Sequence, residues 1–334
     1  MATTYSAWVA TRKGLPSTSL QLKTFPIPTK LPKGHVLVRV QAIALNPFCY
    51  KMMAGLPNFA TGRPHVAERD LAGVVVDPNG TEFAAGDAVF GTTALATLGA
   101  LAEYVVLASS SLVLRPPNVM PVEAAGLGIA ITDLKIKSGQ TVFINGGSSG
   151  VGLAAVQIAK SRGCRVVATA SGRNKDLLLS LGADEFIDYT RTPLVAQLSS
   201  RTSPKFDGIF DAVGLTDPAL YLNCGAYLAP GGRYISAGGF PSTRKALGGM
   251  LRQVIEGNFR PTWLGGIAPK YIIVTCPLGK IDLEAVRALV AKGAVKPIVD
   301  SVFSFDREGV MAAYEKLMTN HAVGKVVIEV GGSI

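Results

Sequence analysis

From about residue 139 onward, short apolar runs alternate with stretches whose apolar positions recur at helical spacing. The runs predict strands over 141–145, 165–169, 206–211 and 232–236, and the stretches between them predict helices over about 151–162 and 174–181. This alternation is what a parallel sheet flanked by helices requires. A further strand is predicted over 271–275, helices over 282–292 and 307–318, and a terminal strand over 325–330. Before residue 120 the grammar differs. Short strands such as His35-Val36-Leu37-Val38-Arg39-Val40 and Ala72-Gly73-Val74-Val75-Val76 are separated by Gly and Pro, which predicts a β-rich, barrel-like unit. The change falls around Pro116-Pro117, so the expected fold is α/β, a β-barrel domain joined to a doubly wound parallel-sheet domain.

Composition narrows the classes. With 334 residues and 48% hydrophobic positions, the chain can bury two cores of ordinary size. Charged residues make up only 17% against 37 glycines, which suits an enzyme-like α/β chain rather than a coiled coil. A net charge of +10 leaves nucleic acid, an acidic membrane surface or a polyphosphate ligand open. The basic residues are dispersed, with no aromatic-interleaved stripe, so no nucleic-acid partner is expected. No run reaches the roughly 18 apolar residues that cross a bilayer, so no membrane partner is expected either. The start, MATTYSAWVATRKG, lacks a basic segment followed by an apolar one, and a cytoplasmic location is expected. Cys49, Cys164, Cys224 and Cys276 stand far apart, as do His35, His65 and His321, so no metal site is expected from local motifs.

The most specific segment runs Phe143-Ile144-Asn145-Gly146-Gly147-Ser148-Ser149-Gly150-Val151-Gly152 into a helical stretch. A buried strand enters, glycines permit a tight turn, and a helix leaves with unpaired amides that can hold a pyrophosphate. Gly146, Ser148, Ser149, Gly150 and Val151 are the candidate phosphate cradle, although Ser148 breaks a clean GxGxxG. At the end of the next strand stand Ser171, Arg173 and Lys175, with no acid among residues 170–175. A hydroxyl and two cations favour a 2′-phosphate, hence NADPH over NADH; the alternative is a solvated basic helix start.

These residues carry a family likeness. Together with Leu45-Asn46-Pro47-Phe48-Cys49-Tyr50-Lys51, Asp70-Leu71-Ala72-Gly73-Val74-Val75, Gly86-Asp87-Ala88-Val89-Phe90-Gly91 and Gly324-Lys325-Val326-Val327, the chain resembles the medium-chain dehydrogenase/reductase superfamily. Within it, the resemblance is to the zinc-free quinone oxidoreductase and enoyl reductase branch. It implies a GroES-like domain, 1–121 completed by 272–334, and a Rossmann NADP-binding domain, 122–271, with the active site in the cleft between them. Zinc-dependent relatives have a cysteine where Asn46 stands and a histidine near Arg69; both are missing here. The resemblance therefore implies NADPH-dependent reduction of an activated C=C bond, as in an enone, quinone or enoyl thioester, of a hydrophobic small molecule from a biosynthetic pathway.

The resemblance also implies site residues. Asn46 would donate to a carbonyl or to the cofactor, Tyr50 would donate a proton, and Lys51 would pair with an acidic acceptor or a phosphate. Their plain rivals are a turn residue, a half-buried aromatic and a surface charge. The family's usual aspartate is replaced by Cys49. Thr132, Val213, Gly214, Ala237, Gly238 and Gly239 match positions near the nicotinamide, and Tyr189 one beside the adenosine phosphate, although Gly238 and Gly239 also suit a plain turn. After Thr132 the chain lacks about ten residues of a helix found in relatives, which motivates an alternative: a member repurposed for non-redox substrate binding or cyclisation. A homodimer through the apolar segment 270–276 is a further expectation, with a core strand as its rival.

Overall fold

In a computed structural model, the structure describes residues 3–94, 99–129, 136–201, 204–214, 217–237, 244–264, 266–273 and 279–331. The chain divides into two compact units, 1–130 with 276–334, and 131–275. The first unit opens with β1 (Thr4–Ala10), β2 (Leu20–Pro26), β3 (His35–Ala44), β4 (His65–Val66), β5 (Asp70–Asp77), β6 (Ala88–Thr92), β7 (Tyr104–Ala108) and β8 (Leu112–Leu114). The second holds β9 (Thr141–Asn145), β10 (Arg165–Ala170), β11 (Glu185–Asp188), β12 (Phe206–Asp211), β13 (Leu228–Ser236) and β14 (Tyr271–Ile273). The chain then returns to the first unit with β15 (Val299–Ser304) and β16 (Lys325–Glu329).

In the first unit, β2-β1-β4 form one sheet, and β15-β16-β3-β5-β6-β8, with β7 against β3, form a larger one. β3 is the hub. It pairs antiparallel with β5, β7 and β16, and its apolar residues Val36, Val38, Val40 and Ile43 join a core with Trp8, Leu71, Val89 and Tyr314. Because β16 completes this sheet from the far end of the chain, Lys325 is delivered beside residues 44–46. That placement matters for the site.

The second unit is a parallel sheet in the order β11-β10-β9-β12-β13-β14, the doubly wound arrangement expected from the alternating pattern. β9 lies in the middle with every residue buried, and its apolar run Val142-Phe143-Ile144 is bounded by the buried polar Thr141 and Asn145. β14 lies at the end of this order, with Tyr271 buried against Tyr221 and Tyr234.

Several boundaries differ from the expected ones. The helix expected over 174–181 is a 3-10 turn, Gly172–Asn174, followed by a helix over Lys175–Ser180. The strand expected from 232 begins at Leu228, and the one expected over 271–275 is Tyr271–Ile273, with 274–278 outside the described residues. Three elements carry no clear sequence signal. The helix Pro47–Gly55 begins at a proline that also suits a turn, because proline is favoured at the first helical position as well. The helix Arg244–Asn258 buries Gln253 and exposes Leu247, Leu251 and Ile255, which inverts the usual amphipathic pattern. β15 has no fully buried position and, among the described strands, pairs with β16 alone. Among the described residues, no helix is long and apolar enough to cross a membrane.

Candidate functional site

The glycine-rich turn sits at the carboxyl end of β9. Gly146 has φ +72°, in the region that favours glycine, and its N–H donates to Thr169 Oγ1 at 2.9 Å. Ser149 caps the helix Gly150–Ser161: its Oγ accepts from Gly152 N at 3.0 Å and donates to Gly146 O at 2.8 Å. A Cβ on Gly152 would lie 2.1 Å from Gly146 O, so the turn closes only with glycine there. Gly150 and Val151 begin the helix and have no intrahelical acceptor for their amides. Ser148 is half-buried beside them. A twelve-residue helix aims these amides outward and favours an anion.

Beneath the turn a buried polar network fixes the strand ends. Thr169 Oγ1 donates to Asn145 Oδ1 at 2.9 Å, and Asn145 Nδ2 donates to Asp211 Oδ1 at 2.8 Å. Asp211 Oδ1 also accepts from Val213 N, and its carbonyl accepts from Ala237 N. Val213 approaches the turn so closely that a Cβ on Gly146 would meet its Cγ2 at 2.4 Å, and Gly214 follows with φ +64°. β9 and β12 are adjacent, and the chain winds away from them in opposite directions, so turn and strand ends meet where a doubly wound sheet binds its ligand. Gly146, Ser149, Gly150, Val151, Val213, Gly214 and Ala237 are thus gathered at one end of one sheet. Thr132, Gly238 and Gly239 lie outside the described residues, as do residues 133–135 of the segment after Thr132.

At the end of β10, Ser171 Oγ accepts from Asn174 Nδ2 at 3.3 Å, and Arg173 and Lys175 are exposed. Neither cation makes a bond to protein among the described residues. The local sequence hides a nearby acid. Asp188, at the end of neighbouring β11, accepts from Gly172 N and from Thr190 N and Oγ1, and these bonds hold its carboxyl below the usual range. One of its oxygens would be 2.7 Å from a Cβ on Gly172. The 2′-phosphate candidates therefore share their surface with a carboxylate supplied sixteen residues further on, beside the exposed Tyr189.

In the first unit, the helix Pro47–Gly55 carries Tyr50 and Lys51. The Tyr50 ring packs in the core, while among the described residues its hydroxyl has no hydrogen-bond partner and is not one of the enclosed unpaired atoms. Burial raises its pKa, which keeps the phenol protonated as a donor. Lys51 is half-buried and makes no ion pair among the described residues, and desolvation lowers its pKa.

Asn46, expected to face a ligand, faces inward. It is 4% exposed; Nδ2 donates to Asp70 Oδ2 at 3.0 Å and to Ala44 O at 3.3 Å, and Oδ1 accepts from Lys325 Nζ at 2.9 Å. Both amide hydrogens are committed, which leaves no donor for a carbonyl or cofactor. Lys325 also reaches Asp70 Oδ2 at 3.4 Å. Next to this pair stands Glu68, fully buried, with φ +60°. Its Oε1 accepts from Tyr314 O–H at 2.7 Å and its Oε2 from Asn46 N–H at 3.1 Å, and the Cys49 thiol bonds to it as well. Burial pushes its carboxyl up to about 7, against the lowering effect of those three bonds; Asp70 adds a smaller upward push. Sequence reading missed Glu68, Asp70, Tyr314 and Lys325 as a group; the only signal was Cys49 in place of a family aspartate.

Residues 32–118 match the alcohol dehydrogenase GroES-like domain family, and residues 181–328 match a family described as zinc-binding dehydrogenase. The chain is 34% identical to the trans-enoyl reductase pgmF of Aspergillus terreus, over 89% of this chain and 86% of that one. The chain belongs to the medium-chain dehydrogenase/reductase superfamily. Within the superfamily it is also 32% identical to a zinc-type alcohol dehydrogenase-like protein of Schizosaccharomyces pombe, over 98% of this chain and 96% of that one. Its fold matches that of the quinone oxidoreductase from Coxiella burnetii with a TM-score of 0.80 at 24% identity, covering 98% of this chain and 100% of the other.

The zinc in those names does not fit the residues present. The Lys325 ammonium lies 2.9 Å from Asn46 Oδ1, where it would repel a cation, and the Arg69 guanidinium is spent on Thr93 O at 2.9 and 3.0 Å. Among the described residues no group of three His, Cys, Asp or Glu side chains could hold a metal ion. A dinucleotide does fit the glycine turn, where Gly152 makes room for backbone and Gly150 and Val151 offer amides.

Proposed function

We propose that this superfamily member is a zinc-independent, NADPH-dependent reductase of an activated C=C bond in a hydrophobic small molecule. The observation that carries the reading is the replacement of a metal-binding position by the Asn46–Asp70–Lys325 cluster in a chain that retains the dinucleotide turn. When bound, the nicotinamide supplies a hydride for the β-carbon of an enone, quinone or enoyl thioester. Without a Lewis acid, the developing oxyanion must be met by hydrogen-bond donors or cations of the protein. Tyr50 offers a protonated phenol, and Lys51 a partly desolvated ammonium that strengthens any contact with an anion. Asn46 supports these groups from below as a structural tie. The name of the Aspergillus terreus relative, a trans-enoyl reductase, supports the same reaction class.

Gly150 and Val151 would hold the pyrophosphate, and Arg173 and Lys175 the 2′-phosphate, with Ser171 as a further donor. Asp188 opposes the added phosphate, so preference depends on two unpaired cations outweighing one carboxylate already held by three donors. Loss of NADPH absorbance with a panel of enones, quinones and enoyl thioesters, in the presence of a zinc chelator, tests the reading. Turnover with at least one acceptor, unaffected by the chelator, is expected; tight NADPH binding without turnover of any acceptor would favour a non-redox role.

A further inference from the structure

The helix Pro47–Gly55 has a weakly furnished N-terminus. Asn46 at its cap position makes no side-chain capping bond, because its amide is committed to Asp70, Ala44 and Lys325, and the first turn holds no acid. A helix start in this condition is open to fraying. What stands there is Glu68, from the segment just before β5. Its carboxyl accepts from the cap residue's N–H and from the Cys49 thiol on the first turn, while its other oxygen accepts from Tyr314 on the helix Arg307–Met318.

The backbone is also committed to this arrangement. Glu68 is a non-glycine residue at φ +60°, a left-handed conformation that L side chains adopt at a cost. Its carbonyl accepts from Gly99 N and Ala100 N, which locks the residue in that setting. A left-handed, fully buried glutamate has no merit as core filling. Three donors from two helices converge on it instead.

We propose that Glu68 is a positioning residue that fixes the helix carrying Tyr50 and Lys51, acting as a remote cap for that helix and tethering it to Tyr314. Every charged or titratable group around it agrees with this division of labour. Asp70 is neutralised by Lys325 and turned toward Asn46; Arg69 points away to Thr93 O; Cys49 and Tyr314 face Glu68 as donors, both with pKa values raised by burial and by Glu68 itself. The Glu68 carboxyl meets both a backbone N–H, that of Asn46, and a side chain, the Cys49 thiol, at the helix start. The kinetic part of its test rests on the reductase reading; the structural part does not.

The experiment compares Glu68→Ala and Glu68→Gln in the full chain by three readouts: alkylation of Cys49 followed by peptide mapping, amide exchange over 47–55, and kcat and KM with the acceptor found above. Glu68→Ala should speed Cys49 alkylation and exchange over 47–55 by at least about tenfold and lower kcat by about tenfold, with KM for NADPH within about threefold. Glu68→Gln keeps a carbonyl oxygen for Asn46 N–H and should return all three to within about threefold of the parent. If Glu68→Ala does not fold, Tyr314→Phe removes one tether and should raise Cys49 alkylation about threefold. Unchanged alkylation and exchange in the folded variant overturn the proposal even if the enzyme turns over. If no acceptor is ever reduced, the reductase reading fails, and alkylation and exchange alone decide the role of Glu68. A Gln variant as loose as Ala would also overturn it.

Discussion

Two polar clusters are buried in this protein, and they are built in opposite ways. At the strand ends of the second unit, Asn145, Thr169 and Asp211 contribute one carboxylate, satisfied by an amide and backbone donors. Under the helix Pro47–Gly55 two carboxylates lie close together: Asp70 pairs with the Lys325 ammonium and the Asn46 amide, while Glu68 is met by Asn46 N–H, the Cys49 thiol and Tyr314 O–H. The first cluster shapes a backbone turn for a ligand, and glycines do the shaping. The second holds side chains that would act on a ligand, and it sustains buried charge to do so. The difference is that the turn is limited by space, with backbone 2.1 Å from a Cβ at Gly152, whereas the region under the helix Pro47–Gly55 is limited by the pairing of buried polar groups.

The sharpest way to break the comparison is volume at the turn. Gly152→Val places its Cβ 2.1 Å from Gly146 O, where backbone cannot yield cheaply. NADPH affinity measured by fluorescence titration is expected to fall at least about 100-fold, near 3 kcal/mol. Charge at the other cluster comes next. Lys325→Met leaves Asp70 buried without its cation and is expected to cost about 3–5 kcal/mol in urea denaturation, while Lys325→Arg should recover much of it. Were Lys325→Met neutral, the buried pair would not be what holds this region.

The third prediction concerns pH. The folded-state pKa of Glu68 is about 7 against an ordinary value near 4.5, so the protonated form is the one that folding favours. Its stabilising contribution is fully present below the ordinary value and is lost as pH rises through about 7. Glu68→Gln removes that loss. It should therefore be more stable than the parent at pH 8, by an amount on the order of 3 kcal/mol, and equal to it near pH 4, as read from thermal melts. A Gln variant less stable at pH 8 would show that the bonds from Tyr314, Asn46 and Cys49 outweigh desolvation. The smallest effect is at the adenosine end: Arg173→Ala with Lys175→Ala should raise KM for NADPH about tenfold and leave NADH unchanged, and Asp188→Asn should lower KM for NADPH by about threefold.

These two clusters also mark what could be read from the sequence. The turn was legible because everything it needs is local: a buried strand, glycines at fixed spacing, a capping serine and a helix within twenty residues. A parallel sheet flanked by helices follows from the same alternation, while its strand order is given by the structure. The second cluster joins residues 46, 49, 68, 70, 314 and 325, and no periodicity links them; only the return of β16 to the sheet brings Lys325 to Asn46. Asn46 stands at the head of the helix Pro47–Gly55, but nothing local in the sequence shows that Asp70 and Lys325 occupy its amide. Asp188 was missed for the same reason, being local to β11 and adjacent to β10 only through sheet pairing.

The most direct measurement of the central claim is isotope transfer. Turnover of an enone with NADPH deuterated at C4, in the presence of a zinc chelator, should give a saturated ketone carrying one deuterium on the β-carbon, by mass spectrometry and NMR. Deuterium on the carbonyl carbon, or abolition of turnover by the chelator, would contradict a metal-free reduction of the activated C=C bond.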